Sequence, residues 1–116
     1  MIRRKNEYTQ DVRTNMMGGD GSVTIEHIFK KGEGLNSNIR MYSRITIQPG
    51  CSIGKHTHQG EEEILHVISG KGLADDDGTE ILLEAGDSIV TRSGESHGIA
   101  CAGDEPLVLL AAIPVY

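Results

Sequence analysis

Four residues of this chain have types and spacing suited to chemistry: His56, His58, Glu63 and His97. His56 and His58 flank a single threonine. On a strand, side chains two apart point to the same face, so both imidazoles can approach one ion. Glu63 comes five positions after His58. A short turn at Gln59-Gly60 would send the chain back antiparallel and let Glu63 face the same interior point. His97 lies in a second glycine-framed stretch, Gly94-Glu95-Ser96-His97, and would add a third imidazole from a neighbouring strand. Three ring nitrogens and a carboxylate suit Zn²⁺, Fe²⁺, Mn²⁺, Ni²⁺ or Co²⁺ better than Ca²⁺ or Mg²⁺.

Several other side chains could line a pocket around such an ion. Cys101 shares a face with His97 and Ile99 on a regular strand, although a buried, inert thiol is the default for such a cysteine. Arg92, at a turn ahead of His97, could hold an anionic substrate at the mouth, against the plainer role of a surface arginine. Tyr42 and Arg44 share a face with Arg40 and Thr46 and join the pocket only if that face is the interior one. His27 falls on the side of Val23, Ile25 and Phe29, as a packed or edge residue would. His66 should face away from the ion. Asp75-Asp76-Asp77 lacks the spaced ligands and distal glutamate of a calcium loop and reads as a solvated turn.

The elements that must position these residues are strands. Val23–Phe29 and Met41–Ile47 alternate in the manner of strands, and Pro49-Gly50 ends the second. A short histidine-bearing segment follows at 54–58. Then come Glu62–Ile68, turned by Ser69-Gly70, and Gly72–Ala74, leading into the hairpin signal Asp77-Gly78. Glu80–Leu83, Asp87–Thr91, Ser96–Cys101 and Leu107–Ile113 complete the series. Along the strand at 62–68, Glu63, Leu65 and Val67 point one way and Ile64, His66 and Ile68 the other. Both faces are largely apolar, which fits a strand covered on both sides, by the barrel interior and by a second sheet or a partner subunit. Turns recur every eight to twelve residues or so, as in sandwiches and barrels, and no long region carries a helical period. The expectation is an all-β single domain closed into a barrel or jelly roll, which removes exposed sheet edges. Residues 1–22 read as a polar lead-in arm, helical or loosely attached, and residues 23–116 as the barrel domain.

Composition narrows the function classes. A chain of 116 residues has room for one domain. A formal charge of −6 disfavours nucleic acid as a partner, and Arg3, Arg4, Lys5 and Arg13 read as a solvated arm. No apolar stretch approaches the length of a membrane span, and the polar N-terminus does not read as a secretory signal. The 2 cysteines, Cys51 and Cys101, make no disulfide framework, so the expected compartment is the cytoplasm with reduced thiols. With 15 glycines, 1 phenylalanine and no tryptophan, the chain must turn often and build its core from aliphatic side chains.

At this point the chain resembles the cupin family. The family's first motif is glycine, five residues, His-x-His, three or four residues, Glu, six residues, glycine. Gly50, His56, His58, Glu63 and Gly70 match every fixed position. The second motif is glycine, five residues, Pro-x-Gly, two residues, His, three residues, Asn. Gly86, Gly94 and His97 match it, whereas Arg92 replaces the proline and Cys101 the asparagine. The resemblance implies a small double-stranded β-helix (jelly-roll) barrel, often a homodimer, with one divalent metal held by His56, His58, Glu63 and His97. Glu62 is the rival carboxylate; only Glu63 keeps six residues before Gly70, and Glu62 should point to the opposite face.

Cupins include oxygenases, decarboxylases, isomerases and non-catalytic binding modules. The resemblance is to short single-domain, oxalate-decarboxylase-like members, which implies a metal-dependent oxygenase or decarboxylase acting on a small organic acid or diketone. A non-catalytic small-molecule-binding or sensing module, and a metal-free sugar-isomerase-like cupin, are the alternatives. One departure stands out: the two-domain oxalate decarboxylases carry an arginine three residues before the first metal histidine, and here that residue is Ile53.

Overall fold

The computed structural model describes residues 1–116 and is built almost wholly of strands. These are β1 (Thr9–Thr14), β2 (Ser22–Lys31), β3 (Gly34–Leu35), β4 (Ile39–Ile47), β5 (Ser52–Thr57) and β6 (Glu63–Ser69), followed by β7 (Gly72–Asp76), β8 (Thr79–Leu83), β9 (Ser88–Thr91), β10 (Ser96–Cys101) and β11 (Leu107–Pro114). They form a seven-stranded sheet in the order β1-β2-β4-β11-β6-β9, with β3 beside β2, and a four-stranded sheet in the order β5-β10-β7-β8. Only the short β2–β3 pairing is parallel. Together the sheets make the double-stranded β-helix that the cupin resemblance implied.

Period-two alternation builds the core. On β4 the buried residues are Met41, Ser43, Ile45 and Ile47, while Tyr42, Arg44 and Thr46 lie on the other face. β11 repeats the pattern with Leu107, Leu109, Ala111 and Ile113 buried. Ile45, Leu109 and Val67 lie in register across β4, β11 and β6, so β-branched and Leu side chains interlock on the pleated surface. One aliphatic cluster of 16 buried residues draws on both sheets, and full burial of each such side chain contributes about 1.5–3 kcal/mol.

Turn chemistry joins these strands. Between β7 and β8, Asp77 (φ 50°) and Gly78 (φ 99°) take the paired positive φ of a type I′ turn. Asp75 Oδ1 accepts the Gly78 N–H at 2.8 Å, and Asp77 Oδ1 accepts the Ser96 N–H at 3.2 Å. The acidic run is therefore a hydrogen-bonded turn.

The segment expected to be a lead-in arm differs from that expectation. Thr9–Thr14 pairs antiparallel with β2, from Thr9 opposite His27 to Thr14 opposite Ser22. It forms an edge of the large sheet. A tight strap, Asn15 to Gly19, then crosses to β5. A Cβ on Gly54 would lie 2.0 Å from the Met17 carbonyl oxygen, and one on Gly19 would lie 2.2 Å from that of Ser52. Only glycine at both positions lets these backbones touch.

Candidate metal centre

The four candidate ligands come from both sheets. His56 is on β5 and His97 on β10, directly opposite each other across the strand pair. His58 lies just past β5, where its N–H donates to the Glu95 carbonyl at 3.2 Å and its carbonyl accepts the Gly94 N–H at 2.7 Å. Glu63 begins β6, opposite Thr91 of β9. The site therefore sits where the two sheets meet at one end of the barrel.

Each imidazole is oriented by its Nδ1. That atom donates to the Gly54 carbonyl from His56 at 2.8 Å and to Glu61 Oε2 from His58 at 2.8 Å. In His97 it lies 2.7 Å from Thr91 Oγ1. With Nδ1 engaged, each ring turns Nε2 inward. His97 Nε2 is 3.2 Å from Nε2 of both His56 and His58. Glu63 Oε1 is 2.9 Å from His97 Nε2 and 3.2 Å from His58 Nε2. All four donor atoms fall within 4.8 Å of one another.

This donor set is compatible with one metal ion. Ligands about 2.1 Å from an ion are separated by about 3.0 Å along the edge of an octahedron and by about 3.4 Å along that of a tetrahedron. The short separations here, 2.9–3.2 Å, are close to both, so the four atoms could reach a single ion. Three nitrogen lone pairs and a carboxylate packed this closely, with His58, Glu63 and His97 all buried, form a concentration of acceptors that a cation satisfies.

Burial pushes the Glu63 carboxyl upward, but hydrogen bonds from His58 and His97 outweigh it and hold the group at about 2. Burial lowers the pKa of His56. The Glu63 hydrogen bond raises that of His58 against its own burial, with help from Glu61. Glu61 was not singled out from the sequence. Its carboxylate accepts from Arg40 Nε at 2.9 Å and Nη2 at 2.7 Å, and this guanidinium holds its pKa below the usual range. Arg40, Glu61 and His58 thus form a hydrogen-bonded chain from the surface to the metal site.

The remaining candidates separate cleanly. Glu62 points elsewhere and accepts from the Tyr116 hydroxyl at 3.1 Å. Four residues offered as pocket candidates do not line the cavity around the site. Tyr42 lies on the outer face of β4, its ring 6.3 Å from that of Phe29. Arg44, on the same face, pairs with Glu26 at 2.9 Å. Arg92 is held at the surface by Glu95 at 3.6 Å. Cys101 turns its thiol to the carbonyls of Gly103 and Glu105, at 3.7 and 3.1 Å; a register irregularity between His97 and Ile99 breaks the simple alternation.

The cavity itself measures about 340 Å³. His27 lines it, with Nδ1 3.0 Å from Ser43 Oγ, and burial lowers its pKa. Ile53 contributes an apolar wall beside the ligands.

Residues 43–113 match the family model for the cupin domain. The chain is a cupin. A curated relative, an oxalate-binding protein from Thermotoga maritima, is 39% identical over 113 residues, which is 97% of this cupin and 93% of the relative. A solved structure described as a predicted oxalate decarboxylase from Thermotoga maritima superposes with a TM-score of 0.94 at 37% identity, covering 100% of both chains. KdgF from Halomonas superposes at 0.76 with 17% identity, covering 100% of this chain and 96% of the other. That last likeness is one of fold.

Proposed function

We propose that this cupin holds one divalent transition metal through His56, His58, Glu63 and His97 and uses it on a small organic acid or diketone, as an oxygenase or decarboxylase. The carrying observation is the convergence of three Nε2 atoms and one carboxylate oxygen at 2.9–3.2 Å, with every Nδ1 engaged. His56, His58, Glu63 and His97 would hold the ion, and a divalent cation there would polarise a carboxylate or carbonyl oxygen of the bound acid. The relative that is an oxalate-binding protein supports an acid as ligand.

The chain's own residues supply attraction and orientation. Arg13 and Arg40, paired with Asp11 and Glu61, line the cavity with the unpaired Lys30 and Lys31, and the two lysines raise the local concentration of an anion. The test is to load the metal-free protein separately with Mn²⁺, Fe²⁺, Zn²⁺, Ni²⁺ and Co²⁺. Oxygen consumption and CO₂ release are then measured with oxalate, 2-oxo acids and diketones. Turnover with one metal supports the proposal, and a protein that takes up no metal overturns it.

A second reading, a binding or sensing module without turnover, is favoured by the name of the same relative. It predicts ligand-dependent thermal stabilisation in the metal-loaded protein and no product. We also place the protein in the cytoplasm, consistent with its free cysteines. The homodimer reading draws support from the outer face of β6 and β9, where Ile64, Ile68 and Val90 are exposed at 42%, 48% and 39%. Light scattering on a size-exclusion column, comparing wild type with Ile64→Glu/Ile68→Glu, tests it.

A further inference from the structure

Oxalate would leave much of this cavity unfilled. The volume of about 340 Å³ lies in the range of pockets that enclose whole small-molecule ligands. Oxalate, two carboxylates joined directly, occupies only part of that space. Part of its lining is apolar, and includes Met16, Met17, Met41, Ile45, Ile53 and Ile113. An acid with two charged ends would leave this wall facing a carboxylate. An acid with one chelating end and a hydrocarbon tail would cover it.

The strap carrying two of these methionines has an unusual backbone. Met17 sits in the left-handed region at φ 53° and ψ 32°, which L side chains rarely adopt. It is held there from several sides. Gly54 admits its carbonyl, the Gly18 N–H donates to the Asn15 carbonyl at 3.0 Å, and the Gly19 N–H donates to the Met16 carbonyl at 2.9 Å. Asn15 Nδ2 donates to the Gly19 carbonyl at 3.1 Å. Backbone held in such a conformation by its surroundings is characteristic of ligand-clamping segments. Here it fixes Met16 and Met17 against β5, and Met17 remains 53% exposed although it lines the cavity. Unbranched thioethers adapt their shape to an apolar partner. Lys30 and Lys31, also lining the cavity, form no ion pair and favour an anion.

We propose that the ligand is a chelating monocarboxylic acid, a 2-oxo or 2-hydroxy acid, whose apolar tail of about three to five carbons lies against Met16, Met17 and Ile53. The inference rests on the metal-dependent acid-binding reading above and extends it to the substrate class.

The test is calorimetric titration of the Mn²⁺-loaded protein with oxalate, 2-oxopropanoate and 2-oxohexanoate. Burying a methylene is worth up to about fourfold in affinity. The longer oxo acid, with its three additional methylenes, is expected to bind at least about tenfold more tightly than 2-oxopropanoate and more tightly than oxalate. Met17→Asp, at an exposed position whose backbone conformation aspartate tolerates, should shrink the ratio between the two oxo acids by about threefold or more. Oxalate or 2-oxopropanoate binding as tightly as 2-oxohexanoate overturns the tail inference while leaving the metal-and-acid reading intact. Binding of none of the three overturns both. A length effect undiminished in Met17→Asp overturns the role of the strap.

Discussion

Replacing Glu61 by glutamine should weaken metal binding although Glu61 is not a ligand. In the native chain its Oε2 accepts from His58 Nδ1 at 2.8 Å, and Arg40 engages both carboxylate oxygens at 2.9 and 2.7 Å. The His58 and Glu61 side chains are 6% and 15% exposed, so solvent replaces this contact poorly. The carboxylate makes Nε2 a stronger donor and fixes the ring's orientation. Losing an outer partner of this kind costs 10–100-fold in affinity, about 1.4–2.7 kcal/mol. Glutamine keeps one acceptor oxygen, which places the expected loss near the lower end, about tenfold. Arg40→Gln should cost only a few-fold, because the Arg40 side chain is 54% exposed. Combined with Glu61→Gln, it should add less than its separate effect, since both act through His58. The assay is competition with a chromophoric chelator for Zn²⁺ and Mn²⁺. An affinity unchanged within about twofold in Glu61→Gln, set against the tenfold expected loss, would refute the reasoning. So would strict additivity of the two substitutions.

Three further outcomes follow from the same geometry. Leu109→Ala, at a site with 0% exposure between Ile45 and Val67, should cost about 2–5 kcal/mol and lower the melting temperature by roughly 10–20 °C by calorimetry; a drop of only a degree or two would show that the core collapses around the gap. His58 has a pKa raised above 6.5, chiefly by Glu63, so a proton competes with the cation. Chelator competition should show affinity climbing with pH while His58 is protonated and levelling off above its raised pKa, and a flat profile would contradict it. Glu63, held at about 2 against an ordinary 4.5, lends the metal-free protein about 3 kcal/mol as an order of magnitude. That contribution is present above pH 4.5 and lost as pH falls from 4.5 towards 2; in Glu63→Gln this part of the acid-unfolding curve should flatten.

The candidate site was largely legible in the sequence, partly through local spacing and partly through the cupin motif. Spacing of two aligns His56 with His58, and the resemblance to the cupin motif, with its six residues before Gly70, distinguishes Glu63 from Glu62. Strands with strong alternation, such as β4 and β11, were legible from local spacing. β1 was not, because Thr9–Thr14 holds a single apolar residue, Val12, and its strand character comes from pairing with β2. Glu61 was hidden among three consecutive glutamates; only the folded turn brings it to His58. The inner face of β4 includes Ser43, the partner of His27, and this polar interior position left open which side Tyr42 and Arg44 would take. The strap's left-handed Met17 has no signature in composition. It follows from the close approach that Gly54 permits.

The most direct test of the central claim is anomalous X-ray diffraction from crystals of the metal-loaded protein at the absorption edge of the ion found by elemental analysis. The account predicts one strong peak per chain, bounded by Nε2 of His56, His58 and His97 and by the carboxylate of Glu63, and no peak in Glu63→Ala. A peak beside Glu62, or loading that survives Glu63→Ala and fails in Glu62→Ala, would contradict it.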